Sequence, residues 1–230
     1  MFSAILIMGG NLWYLTYILI IRASARDRTL GMPLVAVAIN LCWEFTFTFI
    51  EPYPLGFKWS IIIWFCLDLV IVYQTLRYGP AQFPRLSQRA FYAIFGLTVC
   101  LALPLVLAVN HAFNDAWGLH SAYFDNLAFS AMFIAMLYSR GSSKGQSVGI
   151  AASKLLGTAL MSLAFALHPD VLPHSPLLWI LWGSCLVLDT VYLVALSRVC
   201  AAERRAAGAE KVWWWARIGQ SVPSVQGQTS

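Results

Sequence analysis

The stretch Trp59-Ser-Ile-Ile-Ile-Trp-Phe-Cys-Leu-Asp68-Leu-Val-Ile-Val-Tyr-Gln-Thr-Leu76 is almost entirely apolar and carries one charged side chain near its centre. As a helix, its 18 residues would be about 27 Å long at 1.5 Å per residue. That length is close to the ~30 Å hydrocarbon core of a lipid bilayer. The stretch therefore predicts a helix that crosses a membrane.

The whole chain shares this composition. Of its 230 residues, 60% are hydrophobic and only 11% are charged, whereas soluble domains carry roughly 25% charged residues. The mean hydropathy is +0.69, so we expect nearly the entire length to be embedded in a membrane. The five cysteines and four histidines show no disulfide or metal-ligand spacing, so neither a metal site nor another cofactor is predicted.

Apolar runs of similar length recur seven times along the chain. They lie near 4–21, 33–50, 59–76, 90–109, 118–138, 148–167 and 177–197. The first run is predicted to be a retained helix rather than a secretory signal, because its positive charge follows the apolar stretch. The predicted fold class is therefore all-α, a polytopic membrane protein with a seven-transmembrane-helix bundle. The bundle is placed in 1–200, and 201–230 are predicted to form a basic and aromatic tail that is largely disordered.

The distribution of basic residues predicts the orientation of the bundle. Thirteen Lys and Arg residues lie beyond the odd-numbered spans, and Lys58 stands alone on the opposite side. Because cytoplasmic loops are rich in Lys and Arg, we expect an N-out/C-in topology with a cytoplasmic tail. This topology explains the net charge of +5, so a nucleic-acid partner is not predicted. Membrane lipid is the predicted partner of these basic loops. The membrane would be the cell membrane in a bacterium and the endoplasmic reticulum in a eukaryote.

Three carboxyl groups lie near the centres of predicted spans. Glu44, Asp68 and Asp189 are about 14, 14 and 18 Å from the outer ends of their spans at 1.5 Å per residue. One carboxylate at the bilayer centre costs roughly 2.5–3.5 kcal/mol, so three cost on the order of 8–10 kcal/mol. Leucine would pack better at such positions. The three acids therefore indicate a functional site inside the bundle, and their similar depths are compatible with one shared cavity.

The helical neighbours of these acids predict an apolar, aromatic cavity with a few amides. Its expected supporting residues are Asn40, Trp43, Trp64, Asp68, Asn126 and Tyr192. No cation is expected at the same depth, because Lys154 lies about 9 Å from the inner edge of its span and is predicted to extend towards the headgroups. Asp125 lies nearer the outer end of its span and can face either the cavity or a loop.

Acids in such surroundings suit proton-transfer chemistry on an apolar substrate. A carboxyl group without a cation nearby is expected to keep its proton and can donate it to an alkene. Aromatic faces then stabilise the resulting carbocation by about 0.5–2 kcal/mol each, and dry walls protect it from water. We expect Glu44 and Asp189 to form a coupled catalytic pair, with Asn40 orienting Glu44.

Structural explanations compete with the functional one at several positions. Asp68 is equally compatible with a polar contact between helices, and Asn126 can serve the same purpose. Gly149, Ser153 and Gly157 recur at four-residue spacing, which favours a stripe of close helix packing.

The segment Asn40-Leu-Cys-Trp-Glu44-Phe resembles the Asn-x-x-Trp-Glu signature of the integral-membrane terpene cyclases, which are known from fungal meroterpenoid and indole-diterpene pathways and have shorter bacterial relatives. Further segments that resemble the family follow in order, namely Leu67–Gly79, Asn126–Leu137, Arg140–Ser147, Lys154–Thr158 and Leu188–Tyr192.

The resemblance implies seven transmembrane helices and a metal-independent enzyme of the isomerase or lyase type. Its substrate would be a lipophilic prenylated molecule, whose farnesyl chain is protonated at its terminal alkene or epoxide and cyclised in sesquiterpenoid or meroterpenoid biosynthesis. The two acids thought essential in the family correspond to Glu44 and Asp189. Whether an alkene or an epoxide is protonated stays open at this point.

Two other classes of protein remain as alternatives. A seven-helix small-molecule transporter would need a water-filled path and a backbone break at its site, but the third and seventh spans contain no Gly or Pro beside their acids. A non-catalytic lipid-binding membrane protein would leave its ligand unchanged. Product analysis with a farnesylated acceptor separates these alternatives from a cyclase.

Overall fold

The computed structural model describes residues 2–53, 56–168 and 175–218, with side chains described as far as residue 208. Within these ranges the chain forms seven α-helices and no strand. They are α1 (Phe2–Asp27), α2 (Leu34–Phe45), α3 (Lys58–Tyr78), α4 (Gln88–Phe113), α5 (Leu119–Arg140), α6 (Val148–Ala166) and α7 (Pro176–Ile218). The predicted all-α fold class is confirmed.

Local sequence signals explain where several helices begin. Pro33 precedes α2 and Pro176 is the first residue of α7, positions where proline's missing amide hydrogen costs no helical hydrogen bond. Ser87 caps the start of α4, and Ser147 caps the start of α6. Their hydroxyl oxygens accept hydrogen bonds from backbone amides three residues later, at 3.1 Å in α4 and 3.2 Å in α6.

Five of the helices are long and apolar enough to cross a membrane, namely α1, α3, α4, α6 and α7. The remaining two helices, α2 and α5, do not meet both the length and the hydropathy expected of a membrane span, for different reasons. α2 has only 12 residues and continues as a π-helical turn over Thr46–Ile50. α5 has 22 residues, but its polar side chains, including Asp125 and Asn126, reduce its hydropathy. The count of seven spans and their orientation remain predictions.

The helices surround a central space in the order α1, α3, α2, α5, α7 and α6, and α4 packs on the outside of α2 and α5. The most extensive pair is α1 with α6. There the backbones approach closely, because a Cβ atom on Gly157 would lie 3.3 Å from the carbonyl oxygen of Gly9. Ser153 on the same face forms a 2.8 Å hydrogen bond with Thr16. The predicted close-packing stripe on α6 therefore faces α1.

α7 extends to Ile218, beyond the predicted end of its span and into the 201–230 tail that we expected to be largely disordered. Glu203 accepts hydrogen bonds from the backbone amide and the hydroxyl of Ser143, which attach this extension to the α5–α6 loop. Residues 219–230 lie outside the described residues, and the cytoplasmic location of the tail remains a prediction.

Candidate active site

A cavity with about 160 Å³ of water-accessible space lies in the half of the bundle that contains the N-terminus. Its polar lining comprises Asn11, Asn40, Glu44, Ser60, Asp125, Asn126 and Thr158. Its aromatic lining comprises Trp13, Tyr14, Trp43, Tyr53, Phe57, Trp64, Tyr123, Phe129 and Phe165. The described lining comes from α1, α2, α3, α5, α6 and the α2–α3 loop.

Glu44 lines this cavity and is only 1% exposed. Its Oε1 accepts a hydrogen bond of 2.6 Å from the Tyr17 hydroxyl and lies 3.2 Å from Nδ2 of Asn40. The same amide nitrogen lies 2.5 Å from the Tyr17 oxygen and 3.1 Å from Oδ2 of Asp68. Asn40 therefore joins α1, α2 and α3 around one carboxyl oxygen, and the structure brings Asn40 and Glu44 into contact.

The other carboxyl oxygen of Glu44 is free. Oε2 has no hydrogen-bond partner among the described residues, and none of the ion pairs found there involves Glu44. An unpaired carboxylate buried in this way is costly, so the arrangement suits a neutral acid that carries its proton on Oε2. Glu44 also lies two residues before the π-helical turn of Thr46–Ile50, a feature that is frequent at functional sites.

The structure contradicts the predicted pairing of Glu44 with Asp189. No hydrogen bond joins these carboxyl groups in the described part of the chain; instead, Oδ1 of Asp189 accepts a 2.7 Å hydrogen bond from Nζ of Lys154. The two side chains of this ion pair are 0% and 1% exposed, for Lys154 and Asp189 respectively. The charge of Asp189 is thus balanced by a cation on the neighbouring helix.

The prediction that Lys154 extends towards the headgroups is also wrong. Besides Asp189, its Nζ donates hydrogen bonds of 2.7 Å to Oδ1 of Asn126 and to the hydroxyl of Ser130. These bonds use all three ammonium hydrogens, so the bundle interior replaces the water that the headgroup region would have supplied. Lys154 is held inside for this reason.

The ion pair lies behind the aromatic wall of the cavity. Nζ of Lys154 is 5.7 Å from the ring centroid of Trp13 and 5.1 Å from that of Phe129, and both rings line the cavity. These two rings stack on each other at 6.2 Å. Asp189 therefore influences the cavity through Lys154 and the groups that Lys154 holds.

The predicted site residues divide into two groups. Asn40, Trp43, Glu44, Trp64 and Asn126 line the cavity, whereas Asp68, Asp189 and Tyr192 do not. Asp68 is buried one step behind the wall, bonded to Asn40.

Tyr192, expected beside the cavity, lies instead between α5 and the α5–α6 loop. Its hydroxyl donates to Gln146 at 2.8 Å, and its ring packs 5.1 Å from that of Phe133. The seventh helix turns this side chain away from the cavity lined by the other helices.

Trp43 is held by hydrogen bonds to the start of α5. Its indole N–H lies 3.0 Å from the carbonyl oxygen of Gly118 and 3.1 Å from the hydroxyl of Ser121. Gly118 has a φ of +61°, and a Cβ there would lie 2.2 Å from Cζ of Phe47. This position therefore requires glycine, which lets the rings of Trp43 and Phe47 pack against the start of α5.

Three residues that contribute to the site were missed or left open at the sequence level. Tyr17 and Trp13 lie inside the first predicted span. Tyrosine and tryptophan usually concentrate at the membrane interfaces, so the depth of these two residues was a signal that they could have a functional role. Asp125 faces the cavity rather than a loop; it is 6% exposed, and its Oδ1 has no hydrogen-bond partner among the described residues.

Across the ranges that the structure describes, no group of three or more His, Cys, Asp or Glu residues is placed to hold a metal ion. The chemistry available at the cavity wall is that of carboxyl, amide, hydroxyl and aromatic groups.

Comparisons with known proteins agree with this architecture. The sequence model of the Pyr4-like transmembrane terpene cyclases matches residues 1–201. The Pyr4-family terpene cyclase mfmH of Annulohypoxylon moriforme is 31% identical over 71% of this chain and 69% of its own. Terpene cyclase ascF of Acremonium egyptiacum is 29% identical over 89% of this chain and 84% of its own. Terpene cyclase pyr4 of Aspergillus fumigatus is 27% identical over 87% of this chain and 88% of its own. No solved structure matches the chain significantly.

Proposed function

Because the chain belongs to the Pyr4-like transmembrane terpene cyclases, and is thus a multi-pass membrane enzyme that cyclises a lipophilic isoprenoid, we propose that it starts the cyclisation by protonating a prenyl chain with Glu44. The reaction is of the class II type, in which a proton rather than a metal ion initiates carbocation formation. The substrate carries a farnesyl chain, and the product is a sesquiterpenoid or meroterpenoid.

One observation carries this proposal: Glu44 presents a free oxygen at the cavity wall. Oε1 is occupied by Tyr17, so a proton on Oε2 is the only one that the carboxyl group can offer to a substrate. The hydrogen bond from Tyr17 also stabilises the carboxylate that remains after proton transfer. Tyr17 and Asn40 are positioning residues in this scheme.

The proposed reaction conserves all atoms. The O–H bond of Glu44 breaks and a C–H bond forms at the terminal alkene, or an O–H bond forms at an epoxide oxygen. The neighbouring double bonds then attack the cation in turn and close the rings. Loss of a proton from a carbon beside the last cation forms the product alkene, and the Glu44 carboxylate accepts that proton.

The aromatic lining supplies what the carbocations need. Trp13, Trp43 and Trp64 line three different sides of the cavity, on α1, α2 and α3. Each π face within about 6 Å of a cation contributes roughly 0.5–2 kcal/mol of attraction. The indoles therefore stabilise successive cations without acting as nucleophilic bases that would end the cascade early.

Asp189 acts indirectly in this proposal. Its carboxylate holds Lys154, and Lys154 in turn holds Asn126 and packs against Trp13. Loss of Asp189 would leave a buried ammonium without its counter-ion and would displace the cavity wall. An essential acid in the seventh helix is thus compatible with a single proton donor in the second.

For the membrane arrangement, we propose seven spans with the N-terminus outside and the C-terminus inside, in the cell membrane of a bacterium or the endoplasmic reticulum of a eukaryote. The basic residues that follow the odd-numbered predicted spans support this orientation. Reporter fusions after Arg28, Lys58, Arg89, Asp115 and Lys144 are expected to alternate between inside and outside. Two consecutive fusions on the same side would contradict the seven-span topology.

The activity is tested with the purified full-length protein in lipid nanodiscs, supplied with a farnesylated aromatic acceptor or its terminal epoxide. We expect cyclised product in the presence of EDTA, and one solvent-derived deuterium on carbon when the alkene is cyclised in D₂O. Substrate that binds and is recovered unchanged would favour the lipid-binding alternative. Activity that requires an added divalent metal would contradict the proton-initiated mechanism.

A further inference from the structure

The described residues that line the cavity are buried or half-buried, with one local exception. Among the residues that line it, only Ile7 and Asn11 are exposed, and both lie on the same face of α1. Ile7 is 54% exposed. The most exposed part of the described lining is therefore beside this part of α1, and we take it as the mouth of the cavity.

The other side of the mouth is the start of α3. Ser60 lines the cavity and is half-buried, and α3 is the helix that lies beside α1 at this point. Both helices are long and apolar enough to span a membrane. The neighbouring outward-facing residues of α1, Met8 and Leu15, are 58% and 44% exposed and apolar. A mouth in such a surface opens sideways towards lipid.

Asn11 is unusual for this setting. It is a polar residue within a membrane-spanning helix, and its amide forms no hydrogen bond with any residue that the structure describes. Polar groups that remain unsatisfied in hydrocarbon are costly, and such residues are retained for function. The amide has two donor hydrogens and one acceptor oxygen available at the mouth.

The spacing between Asn11 and the acid matches an amphiphilic substrate. Tyr17, whose hydroxyl contacts Glu44, follows Asn11 by six residues, which is about 9 Å along a helix axis at 1.5 Å per residue. A prenyl chain folded between these two levels places its end at Glu44 and its polar group at Asn11. The aromatic wall lies between them.

We propose that the opening between α1 and α3 is a lateral portal through which the substrate passes from the bilayer, and that Asn11 binds the polar group of the substrate at this portal. Asn11 is thus a specificity residue that favours prenyl compounds bearing a hydrogen-bonding group over bare hydrocarbons. This inference rests on the proposed cyclase function.

Two variants and one control test the portal in nanodiscs. Asn11→Leu is expected to raise KM roughly 3- to 10-fold, the loss expected for one hydrogen bond, with little change in kcat. Asn11→Gln retains the amide and is expected to restore most of the affinity. A substrate analogue in which the polar group is methylated should show a smaller difference between wild type and Asn11→Leu.

Ile7→Trp tests the route itself, because it places an indole in the mouth, and it is expected to lower kcat/KM at least 10-fold. Met8→Trp adds the same ring to the same helix on a lipid-facing position outside the cavity, and it should behave as wild type. Wild-type kinetics in both Asn11→Leu and Ile7→Trp would overturn the portal while leaving the cyclase function intact. Absence of cyclisation by the wild-type protein would instead reject the proposed function on which the portal rests.

Discussion

Replacement of Lys154 by methionine removes a buried charge while keeping the length and apolar body of the side chain. In the structure its ammonium donates three hydrogen bonds of 2.7 Å, one of them to Asp189, and neither side chain of the pair is more than 1% exposed. Removing one partner of a buried ion pair typically costs about 3–5 kcal/mol.

This cost predicts that Lys154→Met is about 4 kcal/mol less stable than wild type, a large part of the 5–15 kcal/mol that typical domains possess. Asp189→Asn alone leaves the ammonium without its counter-ion and should cause a comparable loss. The double variant Lys154→Met/Asp189→Asn removes both charges and is expected to recover most of the stability. Reversible unfolding in mixed micelles, followed by circular dichroism, gives the coupling energy of the pair.

The same double variant separates the two possible roles of Asp189. If Asp189 only positions Lys154, the stable double variant still contains Glu44 and should form cyclised product, at a reduced rate. A double variant that is as stable as wild type but forms no product would refute our reasoning and identify Asp189 as a direct participant. Wild-type stability of Lys154→Met would refute the ion pair itself.

Three further outcomes are expected. Trp64→Leu removes a π face from the cavity and should give partly cyclised or regioisomeric products, whereas Tyr192→Leu lies outside the cavity and should lower stability without changing the product profile, as seen by gas chromatography–mass spectrometry. Asp68→Asn should lower kcat several-fold with unchanged products, because Asp68 contacts the amide that orients the acid; an unchanged kcat would make it a purely structural contact. Gly157→Ala places a Cβ 3.0 Å from a neighbouring indole ring and should cost about 1–3 kcal/mol in unfolding assays. Gly183→Ala, which meets open space, is the matched control and should not destabilise.

Much of the helical framework could be predicted from hydrophobic run length. The run predicted near 59–76 corresponds to α3 (Lys58–Tyr78), and the prolines at 33 and 176 marked two helix starts correctly. Run length could not show that α2 ends in a π-helical turn, because the apolar run predicted near 33–50 includes the α-helix and the turn alike. It also could not show how far α7 continues, since Glu203 is fixed by a loop far away in sequence.

The site was harder to predict because depth along a helix does not determine the direction in which a side chain points. Each residue turns the helix by 100°, so Glu44 faces the cavity while Asp68, at a similar depth, lies behind its wall. The ion pair illustrates the same limit. Lys154 and Asp189 lie about 9 and 12 Å from the predicted inner ends of their spans at 1.5 Å per residue. A lysine side chain is long enough to span this difference in depth. The direction in which either side chain points, however, could not be predicted from the sequence.

Turnover by Glu44→Gln tests the central claim most directly. Glutamine preserves the shape of the side chain and can still accept the hydrogen bond from Tyr17, but it has no acidic proton. In folded, membrane-reconstituted protein, we predict loss of cyclised product by at least ~100-fold, the lower range for removal of a general acid. Cyclisation by Glu44→Gln at a rate near that of wild type would contradict the claim that Glu44 is the proton donor.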